Sequence, residues 1–309
     1  MILEGLHTAT MGSFPLDDSV NNRTRVLEDL IALNIDFPNY PQLIDMGKQF
    51  LHDLEKGCSL PGIELFDWTI EYIKNRNLLN TVKLKACVTG VFTLASYIKI
   101  KKPRSTDVMP LSNTALTDIS RLENLTVALS ETCRKIGRNA SMVFIDEPIL
   151  SFMVGKNRIL YGLDEETIVQ IYNRLREACG EIYVGTHICG RISPLLAQIL
   201  LNTNLDILSH EFHDISENFH LYRKQNLIEA CKTLAVGCLS TKNPSIESVE
   251  EIGTYIGKFT KKYGKNMMFT PDCGFRNLIV NGSKEIGYDV AIQKLKNMCK
   301  ALSIYKSIK

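Results

Sequence analysis

Short runs of β-branched and aromatic residues alternate along this chain with longer stretches whose apolar residues recur every three or four positions, and that alternation constrains the fold more than any other feature. A mostly apolar run followed by an amphipathic helix is the repeating unit of a parallel sheet with crossover helices. Eight runs qualify, at residues 6–12, 35–37, 82–90, 142–146, 182–189, 207–212, 234–239 and 267–270. Helical periodicity fills the intervals at 42–54, 63–75, 117–136, 165–179, 193–201, 221–233, 245–263 and 288–304. Eight such units predict an α/β chain folded as a single (β/α)8 TIM barrel over residues 1–309, with a doubly wound open sheet as the alternative.

A barrel concentrates its chemistry at the C-terminal ends of its strands. The residues there are Asp146-Glu147-Pro148, His187-Ile188-Cys189, Glu211 and Asp272-Cys273-Gly274, which are mostly acid or metal-ligand types. Charge points away from polyanions: 36 Lys and Arg against 34 Asp and Glu predict neither a nucleic-acid nor a membrane partner. The basic clusters at 99–104 and 261–262 read as solvated faces; a use for them would be docking an acidic carrier protein. Nine scattered cysteines and an N-terminus without a basic region and apolar core predict a cytoplasmic chain with reduced thiols. Cysteine chemistry then means a nucleophile, a metal or core packing.

His187 and Cys189 lie two apart on one run, so they project from the same face of a strand. Ile182, Val184 and Ile188 supply the helix-packed side of that strand, which turns Tyr183, Gly185, His187 and Cys189 toward the barrel axis. On the next run Leu208, His210 and Phe212 form the helix side, which leaves Ile207, Ser209 and Glu211 inward and prefers Glu211 over His210 as a ligand. Cys273 follows the last run, with Gly274 beside it to permit close backbone approach. An imidazole, a carboxylate and two thiolates favour Zn2+, which takes N, O and S donors in a tetrahedron. Three anionic ligands make such an ion a poor activator of water and a good holder of a substrate thiolate. The remaining cysteines read as packing or surface residues.

At these residues the chain resembles the catalytic C-terminal barrel of cobalamin-independent methionine synthase. The resemblance rests on the His-x-Cys, Glu and Cys set, with Cys273 inside Pro271-Asp272-Cys273-Gly274. Supporting matches are Thr10-Met11-Gly12-Ser13-Phe14-Pro15, Thr89-Gly90-Val91-Phe92-Thr93-Leu94 and Ile145-Asp146-Glu147-Pro148. It implies a zinc-dependent transfer of a methyl group to the sulfur of homocysteine, forming methionine, with His187, Cys189, Glu211 and Cys273 as ligands. It also implies that Asp146 binds the amino group of homocysteine and that the turn at Ser13 holds its carboxylate.

Two departures alter what the resemblance implies. The family's full-length enzymes carry a second, N-terminal barrel that helps to bind methyl-folate, and their Gly-Glu-x-x-Arg-x-Asp-Met stretch is matched here only by residues 61–68, where Glu64 falls out of register. Their Asp-x-His-Ser-Pro motif reads Ser240-Thr241-Lys242-Asn243-Pro244, so Lys242 stands at the position of the catalytic histidine. A lysine is poorly matched to protonating a departing folate nitrogen, whereas a Co(I) corrinoid leaves without a proton. The expected donor is therefore methylcobalamin or another methylcorrinoid, delivered free or on a corrinoid carrier protein. The rivals are a corrinoid-dependent methyltransferase acting on another thiol such as coenzyme M, and a non-catalytic zinc barrel that binds a corrinoid carrier.

Overall fold

The computed structural model describes residues 1–100 and 110–308, which leaves most of the basic cluster at 99–104 outside the described residues. The strands are β1 (Leu6–Thr8), β2 (Lys85–Thr89), β3 (Met142–Asp146), β4 (Tyr183–Ile188), β5 (Ile207–His210), β6 (Thr233–Gly237) and β7 (Met267–Thr270). Among the described residues they form one curled parallel sheet of seven strands, ordered β1-β7-β6-β5-β4-β3-β2. The helices are α1 (Val20–Ala32), α2 (Met46–Glu55), α3 (Ile63–Asn75), α4 (Val91–Tyr97), α5 (Ile119–Gly137), α6 (Leu150–Met153), α7 (Glu165–Ala178), α8 (Pro194–Leu201), α9 (Lys224–Glu229), α10 (Val249–Tyr263) and α11 (Lys284–Ile308).

The period of two along each strand divides the core into two clusters. Cys87, Met142, Phe144, Ile207, Ala235 and Met268 pack together within the curl of the sheet. Their neighbours Val88, Val143, Ile145, Val184, Ile188, Leu208, Val236 and Phe269 pack outward with the helices. This parity places Asp146 in phase with Phe144, His187 with Tyr183, and Ser209 with Ile207. The inward residues at the C-terminal ends of the strands are therefore fixed by which of their neighbours is greasy.

The run at 35–37 differs from expectation. It forms no ladder; instead Phe37 makes an isolated parallel bridge to Ala9 and Asn39 another to Lys85. The amide of Phe37 donates to the Thr8 carbonyl at 3.0 Å and that of Lys85 to the Pro38 carbonyl at 2.9 Å, so the segment touches both β1 and β2, the two edges of the sheet. Pro38 and Pro41 lack the N–H groups a continuous ladder needs. The helix expected at 221–233 shrinks to α9, because Cys231 adopts a left-handed φ of 53° and Thr233 already belongs to β6. α1 escaped the periodicity reading because it buries only Val26, Leu27 and Leu30 among many polar residues. Among the described residues no helix is long and apolar enough to cross a membrane.

Candidate functional site

β4 and the loop after β7 bring His187, Cys189 and Cys273 together, with their ligand atoms all within 4.8 Å of one another. His187 Nε2 lies 3.1 Å from Cys189 Sγ, which lies 3.2 Å from Cys273 Sγ. Zinc bonds of 2.0–2.3 Å in a tetrahedron separate ligand atoms by about 3.5–3.8 Å, so the trio needs to open by only a few tenths of an ångström to take the ion. The second ring nitrogen supports the same use. Ser209, the register partner of His187 across β4 and β5, places its Oγ 3.1 Å from His187 Nδ1 and donates its own proton to Met11 Sδ at 3.8 Å. With the hydroxyl accepting from Nδ1–H, Nε2 is the ring nitrogen turned toward the thiols and the one that a neutral ring would offer to a metal. Ser209 sits two residues before Glu211 on the inward face, and the β4–β5 register was the signal that could have singled it out.

Charge within the trio is unevenly shared. The neighbouring Cys189 thiol and the His187 ring hold the Cys273 thiol well below its usual range, despite burial. Cys189 is pushed well above it by the hydrogen bond shared with Cys273 and by burial.

Glu211 is buried just beyond β5, outside that trio, and its Oε2 receives Lys242 Nζ at 3.1 Å. Burial works against the charged Lys242, but its hydrogen bond to Glu211 prevails and raises its pKa. Lys242 reaches inward from the loop after β6 while most of its side chain remains exposed.

Asp146, at the end of β3, is buried, and its Oδ1 has no hydrogen-bond partner. Burial lifts its carboxyl to about 6, against the pull of Lys85 and His187. Lys85 was not foreseen. It is fully buried in β2, with Nζ 3.0 Å from Cys87 Sγ and 4.4 Å from the centre of the Phe144 ring. Lys83 and Lys85 stand two apart in the apolar run at 82–90, and nothing local says which face they take until the strand parity is known.

Ser13 meets the loop after β7 directly. Its carbonyl accepts from the Phe275 amide at 2.7 Å, and a Cβ at Gly274 would lie 2.2 Å from Ser13 Oγ, so the absent side chain at Gly274 is what admits the turn. Glu64 stands apart from these residues. It lines a cleft of about 490 Å³ with Arg23, Lys48, Gln49 and Asp53 between α2 and α3.

The chain is thus an α/β protein whose curled parallel sheet carries, at its strand ends, a buried carboxylate and a His-Cys-Cys cluster of the kind that can hold a metal ion. Comparison with known proteins gives the family: residues 61–303 match the profile described as "Cobalamin-independent synthase, Catalytic domain", and the chain belongs to that family of methyltransferase enzymes. The methionine synthase of Methanocaldococcus jannaschii is 28% identical over 246 residues, covering 75% of this chain and 68% of that protein. The methionine synthase of Pyrococcus horikoshii is 26% identical over 253 residues, covering 79% of this chain and 62% of that one. That of Methanothermobacter thermautotrophicus is 29% identical over 163 residues, only 46% of its length. Among solved structures, a B12-independent methionine synthase from Shewanella sp. W3-18-1 superposes over 100% of this chain and 99% of its own, with a TM-score of 0.63 at 14% identity. That likeness shows a TIM-barrel-like fold.

Proposed function

We propose that this chain transfers a methyl group to the sulfur of homocysteine, forming methionine, at a zinc site held by His187, Cys189, Cys273 and Glu211. The observation that carries the reading is the convergence of three ligand atoms within 4.8 Å beside the unpartnered Oδ1 of Asp146. Bound there, zinc would keep the acceptor sulfur ionised at neutral pH while leaving it nucleophilic. Asp146 offers a buried anionic oxygen to the substrate ammonium. Ser13, packed on Gly274 next to Cys273, offers hydroxyl and backbone donors to the substrate carboxylate. Ser209 would fix the His187 tautomer, and Glu211, which here pairs with Lys242, would be the fourth ligand. In this reading the 37–42 segment occupies the eighth strand position, so that residues 1–309 form one (β/α)8 domain.

The curated relatives carry the name methionine synthase, which favours homocysteine over coenzyme M as acceptor. The donor is a separate matter. The family description and the neighbouring structure both speak of cobalamin-independent chemistry, which gives no support to the methylcorrinoid donor or the corrinoid carrier expected from Lys242. What favours a methylcorrinoid is Lys242 itself, because a lysine ammonium, with an ordinary pKa of about 10.4, is a weak acid toward a departing folate nitrogen. Zinc-loaded chain supplied with homocysteine and either methyl-folate or methylcobalamin separates the two. Methionine from methylcobalamin alone supports the corrinoid reading, methionine from methyl-folate in corrinoid-free buffer overturns it, and no methionine from either removes the acceptor reading too. Cys273→Ser should lose both metal and activity, because an alcohol is not ionised at neutral pH.

A further inference from the structure

We propose that Asp272 is a positioning residue of the metal site, its buried carboxylate holding the backbone next to Glu211 in register with Cys273. The inference rests on the zinc-site reading above and concerns how the ligands are set. Glu211 follows β5 and Cys273 follows β7, two strands that are not hydrogen-bonded to each other because β6 runs between them. No ladder therefore fixes one ligand relative to the other.

Asp272 spans that gap. Its Oδ1 accepts from the amides of Phe212 and His213, each at 3.0 Å, and its Oδ2 accepts from the amide of Asp214 at 2.7 Å. Three successive N–H groups immediately after Glu211 thus converge on one carboxylate, which is wholly buried and covalently next to Cys273. The strand in between is shaped to let it pass: a Cβ at Gly237, the last residue of β6, would lie 2.2 Å from Asp272 Oδ1. The loop after β6 is laced to the same hub. Ser240 Oγ donates to Asp214 Oδ2 at 2.9 Å and its amide donates to Glu247 Oε1 at 3.0 Å. Glu247 in turn takes the fully buried Lys294 of α11 at 2.9 Å on each oxygen.

Asp272, His213 and Asp214 also have ligand atoms within 4.8 Å of one another. Both carboxylate oxygens of Asp272 are already engaged by backbone amides, so its place is to set ligands and not to be one. Partners that orient a metal ligand typically contribute roughly 10- to 100-fold to metal affinity.

The test compares zinc affinity, by competition with a chromophoric chelator, and the visible absorption of the cobalt(II)-substituted protein in the wild type and Asp272→Asn. An amide cannot accept from all three N–H groups. The expected result is zinc binding weakened roughly 10- to 100-fold with altered cobalt bands. Lys232→Met serves as the stability control. Lys232 Nζ bonds the carbonyls of Thr203 and Leu205 at the opposite strand ends, so this variant should lose stability and keep wild-type affinity and bands. Wild-type affinity and an unchanged cobalt spectrum in Asp272→Asn overturn the inference while leaving the zinc site intact; a wild-type chain that binds no zinc overturns both. Should Asp272→Asn fail to fold, amide exchange in the wild type decides: protection of Phe212, His213 and Asp214 supports the clamp, and exchange at the rate of an open loop refutes it.

Discussion

Glu147 is a carboxylate buried where a helix needs an acceptor, and its replacement by Gln should change how stability varies with pH. Gly90 at the N-cap of α4 has no side chain to offer the first turn. Glu147 does so from the end of β3: Oε1 accepts from the Phe92 amide at 2.9 Å, and Oε2 accepts from the Thr93 amide at 2.8 Å and the Thr93 hydroxyl at 2.6 Å. These bonds favour the ionised form, yet burial outweighs them and lifts the carboxyl from 4.5 to about 7. An acid whose pKa is raised by folding binds more protons in the native than in the unfolded state between those values, so stability falls as pH rises through the window. The full cost above pH 7 is about 3 kcal/mol, most of which accrues between pH 5 and pH 8. Glu147→Gln stays neutral throughout and forfeits one amide acceptor, a loss of about 1 kcal/mol. Urea unfolding of metal-free protein at pH 5 and pH 8 should show the variant less stable at the lower pH and equal or better at the higher. Parallel profiles for the two proteins would refute the argument.

Ser209→Ala removes the acceptor that sets the His187 tautomer and should weaken zinc binding by roughly tenfold in a chelator competition; unchanged affinity would show that the ring needs no such partner. Gly274→Ala drives a Cβ to 2.2 Å from Ser13 Oγ and should raise the KM for homocysteine with the fold retained, which circular dichroism and steady-state kinetics together would check. Gly237→Ala should displace the Asp272 carboxylate and lower zinc affinity, an effect absent if that carboxylate has no hold on the ligands.

Much of the site was legible because strand parity is a local property. The bounds of β3 and β7 fall where the apolar runs fall, and the assignment of His187, Cys189 and Glu211 to the inward face follows from which neighbours are apolar. The trio of His187, Cys189 and Cys273 then meets in space as their strand-end positions imply. Contacts that join distant loops were not legible. Nothing in the sequence near Glu147 says that it will cap α4, and nothing near Asp272 says that its oxygens face the amides after Glu211. Lys85 reads as a polar residue in an apolar run, although it is wholly buried against Phe144. The 35–37 run reads as a strand because its side chains suit one, but pairing depends on N–H groups that Pro38 and Pro41 do not have.

X-ray absorption at the zinc edge, recorded on the zinc-loaded chain with and without saturating homocysteine, tests the central claim most directly. A site built from His187, Cys189, Cys273 and Glu211 that takes up the acceptor as a thiolate should gain one sulfur in its first coordination shell, near the 2.3 Å expected of a zinc–thiolate bond. Spectra that are identical with and without homocysteine would mean that the substrate sulfur never reaches the metal, and would contradict the account.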